Sequence, residues 1–191
     1  MSTASQRKQK LREKVLAERQ QVSVEDWKKK SELIISSFMN ADFYKESQTI
    51  HTYISMNQRR EVCTDNLVED LLEGEKRVVV PITNFEEGTL THSEIRAISD
   101  LQKNKWGVAE PKQITPVEVG ELDLIVVPMA AADRRGNRLG YGKGFYDRFL
   151  GETTALKVGL VFDAFLFDEI PTEKFDKKLD VIISENEVIF A

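Results

Sequence analysis

The spacing of apolar residues changes period several times along the chain, and each change predicts an element. Over residues 5–20, Leu11, Val15 and Leu16 recur at helical spacing, while Lys8, Arg12 and Arg19 fall near one side of the same cylinder. Lys8 and Arg12 can therefore face one target. Ser23, with Asp26 three residues on, resembles a capping box and opens a second predicted helix with Trp27, Leu33, Ile34, Ile35, Phe38 and Met39 as apolar positions. Residues 49–55 are rich in β-branched and aromatic side chains and read as a strand. Over 64–73, Leu67, Val68, Leu71 and Leu72 form a helical stripe that Gly74 stops.

The wholly apolar runs Val78-Val79-Val80-Pro81 and Leu124-Ile125-Val126-Val127-Pro128 suit strands buried on both faces, and residues 158–162 and 179–183 are further candidates. Helices alternating with such strands predict an α/β sandwich with a mainly parallel sheet. Ligands of such sheets collect beyond the carboxyl ends of the strands, which points to the loops after Ile54, Val127 and Phe162. At 191 residues, without an internal repeat or an interdomain linker, residues 1–191 are expected to form a single domain.

Composition narrows the function classes. The chain is 41% hydrophobic and 31% charged, and it holds no apolar run near the roughly 18 residues a membrane span needs. Its first residues lack the apolar core of a secretory signal, and Cys63, the single cysteine, has no internal disulfide partner. Both features predict a cytoplasmic protein. One Cys with His51 and His92 far apart supplies no four-ligand zinc set, leaving a carboxylate-bound hard cation as the metal option. His51 reads as a strand residue in or near the core, His92 as exposed.

Charge is uneven. Residues 1–30 carry nine Lys and Arg against four acids, so this arm is +5 and leaves −10 on the rest of a −5 chain. A basic arm on an acidic body suits a localised anion site better than a broad nucleic-acid surface, with a solvated helix face as the plain alternative.

The segment from Asp133 to Arg148, Asp-Arg-Arg-Gly-Asn-Arg-Leu-Gly-Tyr-Gly-Lys-Gly-Phe-Tyr-Asp-Arg, holds the chemistry. Gly140, Gly142 and Gly144 let the backbone approach a ligand and turn its amides toward an anion. A helix predicted from about 144 to 150 would add its positive end. With Arg138 and Lys143 alongside, phosphate is the natural ligand. A Walker loop is excluded because Lys143 is followed by Gly144, and a dinucleotide fingerprint because position 145 is Phe. Asp147 is placed to meet a metal beside the phosphate, or else is a solvated helix carboxylate. Asp180, within an apolar run, calls for a partner that a salt bridge could equally well supply.

Residues Gly136-Asn137-Arg138-Leu139-Gly140-Tyr141-Gly142-Lys143-Gly144-Phe145-Tyr146-Asp147 resemble the signature of the 5-formyltetrahydrofolate cyclo-ligase family. Lys8-Gln9-Lys10-Leu11-Arg12, Tyr53-Ile54-Ser55 with Glu61 and Thr64, Trp106-Gly107-Val108-Ala109-Glu110-Pro111 and the Leu122–Pro128 segment follow in the family's order, so the likeness spans nearly the whole chain. It implies a three-layer α/β fold like that of ribose-5-phosphate isomerases and CoA transferases. It further implies ATP and Mg2+ as co-substrate and metal, a reduced folate as substrate, and a monomer with no nucleic-acid or membrane partner. By the same resemblance Lys8, Arg12, Arg138, Leu139, Gly140, Gly142, Lys143, Gly144 and Tyr146 would bind ATP, and Asp147 with Asp180 would hold the metal. Ile54, Glu61, Trp106, Tyr141, Phe145 and Tyr146 would meet the folate, and Lys143, Arg138 and Tyr146 would carry catalysis.

Met129 and Ala132 stand where the family usually has a glycine and an aromatic residue, Tyr141 where arginine is common, and Phe175 where many bacterial relatives have His. These departures keep open an ATP-using relative acting on another formamide. A noncatalytic nucleotide- or RNA-binding protein using the basic arm is the alternative from another class.

Overall fold

The computed structural model describes residues 3–105 and 107–191. In chain order the elements are α1 (Ala4–Gln21), α2 (Val24–Asn40), α3 (Asp42–Glu46), β1 (Thr49–His51), α4 (Asp65–Glu73), β2 (Arg77–Asn84), β3 (Thr89–Ile95), β4 (Leu101–Lys103), β5 (Ala109–Pro111), β6 (Leu124–Val127), β7 (Ala131–Asp133), β8 (Arg138–Leu139), α5 (Phe145–Phe149), β9 (Leu156–Leu160), β10 (Leu166–Phe167), β11 (Val181–Ile183) and β12 (Val188–Phe190). A seven-stranded sheet of order β12-β11-β9-β6-β1-β2-β3 forms the centre. Its five inner strands run parallel, and β12 and β3 close the two edges antiparallel. The mainly parallel α/β arrangement is the one the apolar runs predict: all four residues of β6 are buried, as are Val78, Val79 and Val80 of β2.

Helix ends follow their caps. Thr3 and Gln6 form a reciprocal capping box at the start of α1. The Ser23 hydroxyl accepts the Asp26 amide at 3.0 Å at the start of α2, and Gly74 receives the end of α4. Helix α4 lies on β2, α2 on β11 and on α4, and α5 against β3.

Several predicted spans change when tertiary contacts are added. The strand expected over 49–55 pairs only through His51 as a ladder; Tyr53 then turns away and its hydroxyl donates to the Val62 carbonyl at 3.1 Å. β2 runs on past Pro81, which lies beyond the last β1 partner at Val79 and has β3 as its neighbour, a position where a missing N–H is tolerated. The strand expected over 158–162 sits two residues earlier. The expected 144–150 helix is five residues long, too short to build a sizeable dipole. His92, expected to be exposed, is buried on β3 against Phe149, with ring centroids 4.2 Å apart. Among the described residues no helix is long and apolar enough to cross a membrane.

Candidate active site

A cleft of about 250 Å³ opens beyond the carboxyl ends of β1 and β6, walled on one side by the β2–β3 hairpin. The glycine turn lies across it. Gly142 and Gly144 have φ of +87° and +70°, a backbone that side chains resist, and a Cβ on Gly142 would stand 3.2 Å from Cζ of Arg12. That arginine joins the turn to α1, donating from Nε to the Gly140 carbonyl at 2.7 Å.

One half of the cleft is charged. Lys8 is 7% exposed, and its Nζ reaches both carboxylate oxygens of Asp176, at 2.6 and 2.8 Å, and Glu173 at 3.2 Å. Arg138, 5% exposed, donates from Nη2 to Asp147 Oδ1 at 2.6 Å, while its Nε is buried without a partner. Burial pulls the Arg138 guanidinium below the usual arginine range, against the opposing pull of Asp147 and Asp176. Lys143 is exposed at the mouth.

The other half is aromatic and apolar. Phe145 meets Phe85 edge-on at 5.7 Å, and Tyr53, Ile54, Tyr141 and Tyr146 complete the wall. The hydroxyl of Tyr146 is buried and unpartnered, and burial, then the charge of Glu61, pushes its phenol far above the ordinary tyrosine value. It therefore stays protonated, a hydrogen-bond donor and not a base. Glu61 is buried, with Oε2 accepting the Met56 amide at 2.7 Å.

Most of the residues expected from the sequence converge here: Lys8, Arg12, Ile54, Glu61, Arg138, Gly140, Tyr141, Gly142, Lys143, Gly144, Phe145, Tyr146 and Asp147 all line the cleft. Two do not. Leu139 is fully buried on β8 opposite Ala131, so it packs the floor and is not among the lining residues. Asp180 precedes β11 at the opposite, amino end of the parallel strands, and its Oδ2 accepts the Lys157 amide at 2.8 Å, with Lys157 Nζ at 3.4 Å. The salt-bridge alternative is realised there, and Asp180 is absent from the cleft. Asp176, which accepts from Lys8, lines the cleft with Asp147 instead. The loop after Phe162 is also absent from the lining; Phe162 and Phe165 sink into the core and the Asp163 amide is taken by Glu185 at 2.8 Å. Trp106 lies outside the described residues.

The donor set fits a magnesium polyphosphate. Cations from α1, β8 and the turn surround the glycine backbone, Arg138 Nε has a hydrogen to give, and Asp147 with Asp176 would supply the one or two carboxylates by which Mg2+ is commonly held beside phosphate. Among the described residues no cluster of three or more Cys, His, Asp or Glu competes as a metal site.

Fold and cleft together define an α/β protein with an anion cradle opening onto an aromatic pocket, and solved structures share that architecture. The chain superposes on the Aquifex aeolicus 5,10-methenyltetrahydrofolate synthetase with a TM-score of 0.86 at 31% identity, covering 96% of this chain and 92% of that one. It is 28% identical to the mouse 5-formyltetrahydrofolate cyclo-ligase over 96% of both chains, and 31% identical to the Escherichia coli K12 protein of that name over 74% of this chain and 80% of the other. The chain belongs to the 5-formyltetrahydrofolate cyclo-ligase family, whose profile matches residues 4–185.

Proposed function

We propose that the protein closes 5-formyltetrahydrofolate to 5,10-methenyltetrahydrofolate with consumption of ATP and release of ADP and phosphate. The observation that carries this reading is the juxtaposition within one cleft of a glycine turn ringed by Lys8, Arg12, Arg138 and Lys143 and a pocket of flat side chains holding one buried carboxylate, Glu61.

A formamide carbonyl is resonance-stabilised and oxide is a poor leaving group, so the oxygen must first be activated. In the proposed reaction the formyl oxygen attacks the γ-phosphorus, ADP departs, and nitrogen 5 carries the positive charge of an iminium phosphate. Nitrogen 10 then adds to the formyl carbon, its proton is lost, and the carbon–oxygen bond breaks with phosphate leaving. Such transfer asks for positioning and charge neutralisation more than for a strong base. Lys143 and Arg138 face the transferring group, Lys8 and Arg12 hold the remaining phosphates, and the Tyr146 hydroxyl is placed to donate to oxygen. Glu61 accepts from the pterin's N–H groups, while Ile54, Tyr141 and Phe145 hold its faces. When bound, Mg2+ on Asp147 and Asp176 would offset triphosphate charge.

The half-buried Cys63 thiol holds its proton, which suits a reducing cytoplasm: burial first, with the Asp65 charge also contributing, raises its pKa. The test is an absorbance scan after mixing protein, 5-formyltetrahydrofolate and MgATP. Growth of the methenyl chromophore is expected only with nucleotide present. A folded protein that binds MgATP and produces no chromophore would shift the reading to another formamide.

A further inference from the structure

Arg19 lies on the same side of α1 as Lys8 and Arg12, yet it does not reach the anion cradle. About three turns beyond Lys8 and two beyond Arg12, it is 2% exposed. A guanidinium so buried is costly unless its donors are used. Nε donates to the Arg59 carbonyl at 2.9 Å, and Nη1 to the Met129 carbonyl at 3.2 Å and to the Tyr141 hydroxyl at 3.0 Å. Its carbon centre also stands 5.5 Å from the Tyr141 ring centroid. Nη2 is buried without a partner.

Those three acceptors belong to three separate segments: the 56–61 loop, the turn after β6, and the glycine turn. Two of the segments supply the folate half of the cleft. Glu61 and Tyr141 both line it, and the phenol of Tyr141 feels both charges, raised first by burial and then by Glu61, with Arg19 opposing.

The 56–61 loop is held under strain. Arg60 adopts φ +52°, the left-handed region, which costs a non-glycine residue stability unless its surroundings impose it. Trp27 supplies part of the constraint, donating from Nε1 to the Glu61 carbonyl at 2.6 Å with Arg60 stacked over its ring at 5.4 Å. Arg19 adds a second buried anchor, on the carbonyl of Arg59. A loop fixed this way presents Glu61 at one place.

We infer that Arg19 is a positioning residue for the reduced-folate substrate: its guanidinium ties the 56–61 loop to Tyr141, so that Glu61 and the Tyr141 ring meet the pterin as one preformed surface. The role rests on the proposed cyclisation for the identity of the substrate. It differs from that of Lys8 and Arg12, which the same helix delivers to the phosphates. Lysine cannot replace it, because a single ammonium nitrogen cannot stand at both Nε and Nη1, from which the guanidinium reaches the Arg59 carbonyl on one hand and the Met129 carbonyl and Tyr141 hydroxyl on the other.

The experiment compares wild type, Arg19→Lys and Tyr141→Phe, measuring dissociation constants for 5-formyltetrahydrofolate and ATP separately and the two KM values. Arg19→Lys should weaken folate binding about tenfold or more and leave ATP within about twofold; Tyr141→Phe, which removes one hydroxyl, should act in the same direction by about threefold. In the double variant the two effects should overlap and not multiply, since they break one network. Folate affinity equal to wild type in folded Arg19→Lys would overturn the role, as would equal weakening toward both substrates. If Arg19→Lys does not fold, unchanged folate affinity in Tyr141→Phe overturns it alone. Wild type that binds the folate without cyclising it would sink the proposed reaction and leave Arg19 readable from the dissociation constants, whereas failure to bind the folate would sink both.

Discussion

The two halves of the cleft are built differently. The charged half draws most of its groups from one stretch of sequence, Arg138 to Asp147, braced by α1; the aromatic half gathers Ile54, Glu61, Phe85 and Tyr141 from segments far apart in the chain. A polyphosphate demands mobile charge and exposed amides, which a glycine turn with nearby cations supplies locally. A flat ring demands a fixed gap between walls, and only tertiary structure fixes a gap. Mutations should therefore separate the halves: cation losses cost turnover with little effect on folding, and losses behind the aromatic wall cost affinity for one substrate.

The largest effect expected is at Lys143. Exposed at the mouth of the cleft, it contributes nothing to the core, so Lys143→Ala should fold as wild type by circular dichroism. Its kcat should nonetheless fall by about 10²–10³, the usual loss when one group aimed at developing charge is removed. Folate affinity should hold. Normal ATP-dependent cyclisation by this variant would break the assignment of the glycine turn to phosphoryl transfer.

The floor beneath both halves offers the second test. His51 and His92 pack 5.1 Å apart, with Phe149 against both and Tyr146 6.3 Å from His51. Burial lowers the His92 imidazole to about 4 and His51 well below its ordinary value, the latter helped by the neighbouring His92. The folded protein thus refuses protons that the unfolded chain accepts from pH 6.5 downward. Their contribution to stability is whole above that value and drains away as pH falls toward 4, by about 3 kcal/mol for His92 alone. His92→Phe should flatten this acid limb in denaturant titrations at pH 7.5 and 4.5. An unchanged slope would mean that His92 is not held neutral by the fold.

How much of this could be read beforehand depended on where the information lay. The parallel core strands announced themselves because burial on both faces leaves wholly apolar runs such as Leu124–Val127. β3 did not: Thr-Leu-Thr-His-Ser-Glu-Ile is largely polar, and His92 goes inside because Phe149 of α5 packs on it, a contact 57 residues away along the chain. The short ladders of β7, β8 and β10 carry too few residues to show any period. The glycine turn was legible because flexible backbone and charge sit side by side. Asp176 was not, since Glu-Lys-Phe-Asp-Lys-Lys reads as a solvated surface until Lys8, 168 positions earlier, is seen to meet it. The family resemblance put Asp180 on the metal instead, whereas the residue pattern, an Asp inside an apolar run, called only for a partner, and Lys157 is that partner.

The carboxylates give the third and smallest effects. Asp176→Asn keeps the shape of the side chain and removes its charge, leaving Lys8 with Glu173 as its remaining acid. kcat/KM for ATP should fall by about 10–100-fold, with a raised Mg2+ requirement, if this residue and Asp147 hold the metal. Asp180→Asn is the control, and the two together are more informative than either. Its carboxylate faces Lys157 at the far end of the strands and its side chain is nearly half exposed. An amide oxygen can still accept the Lys157 N–H, so the loss should be below about 1 kcal/mol of stability, and ATP kinetics should not move. The reverse result, a Mg2+ defect in Asp180→Asn with Asp176→Asn unaffected, would require the chain to bring Asp180 to the carboxyl end of the sheet. That cannot happen without sliding β11 out of register with β9, which would carry the buried Val181, Ile182 and Ile183 away from their partners Val158, Gly159 and Leu160 and out of the core.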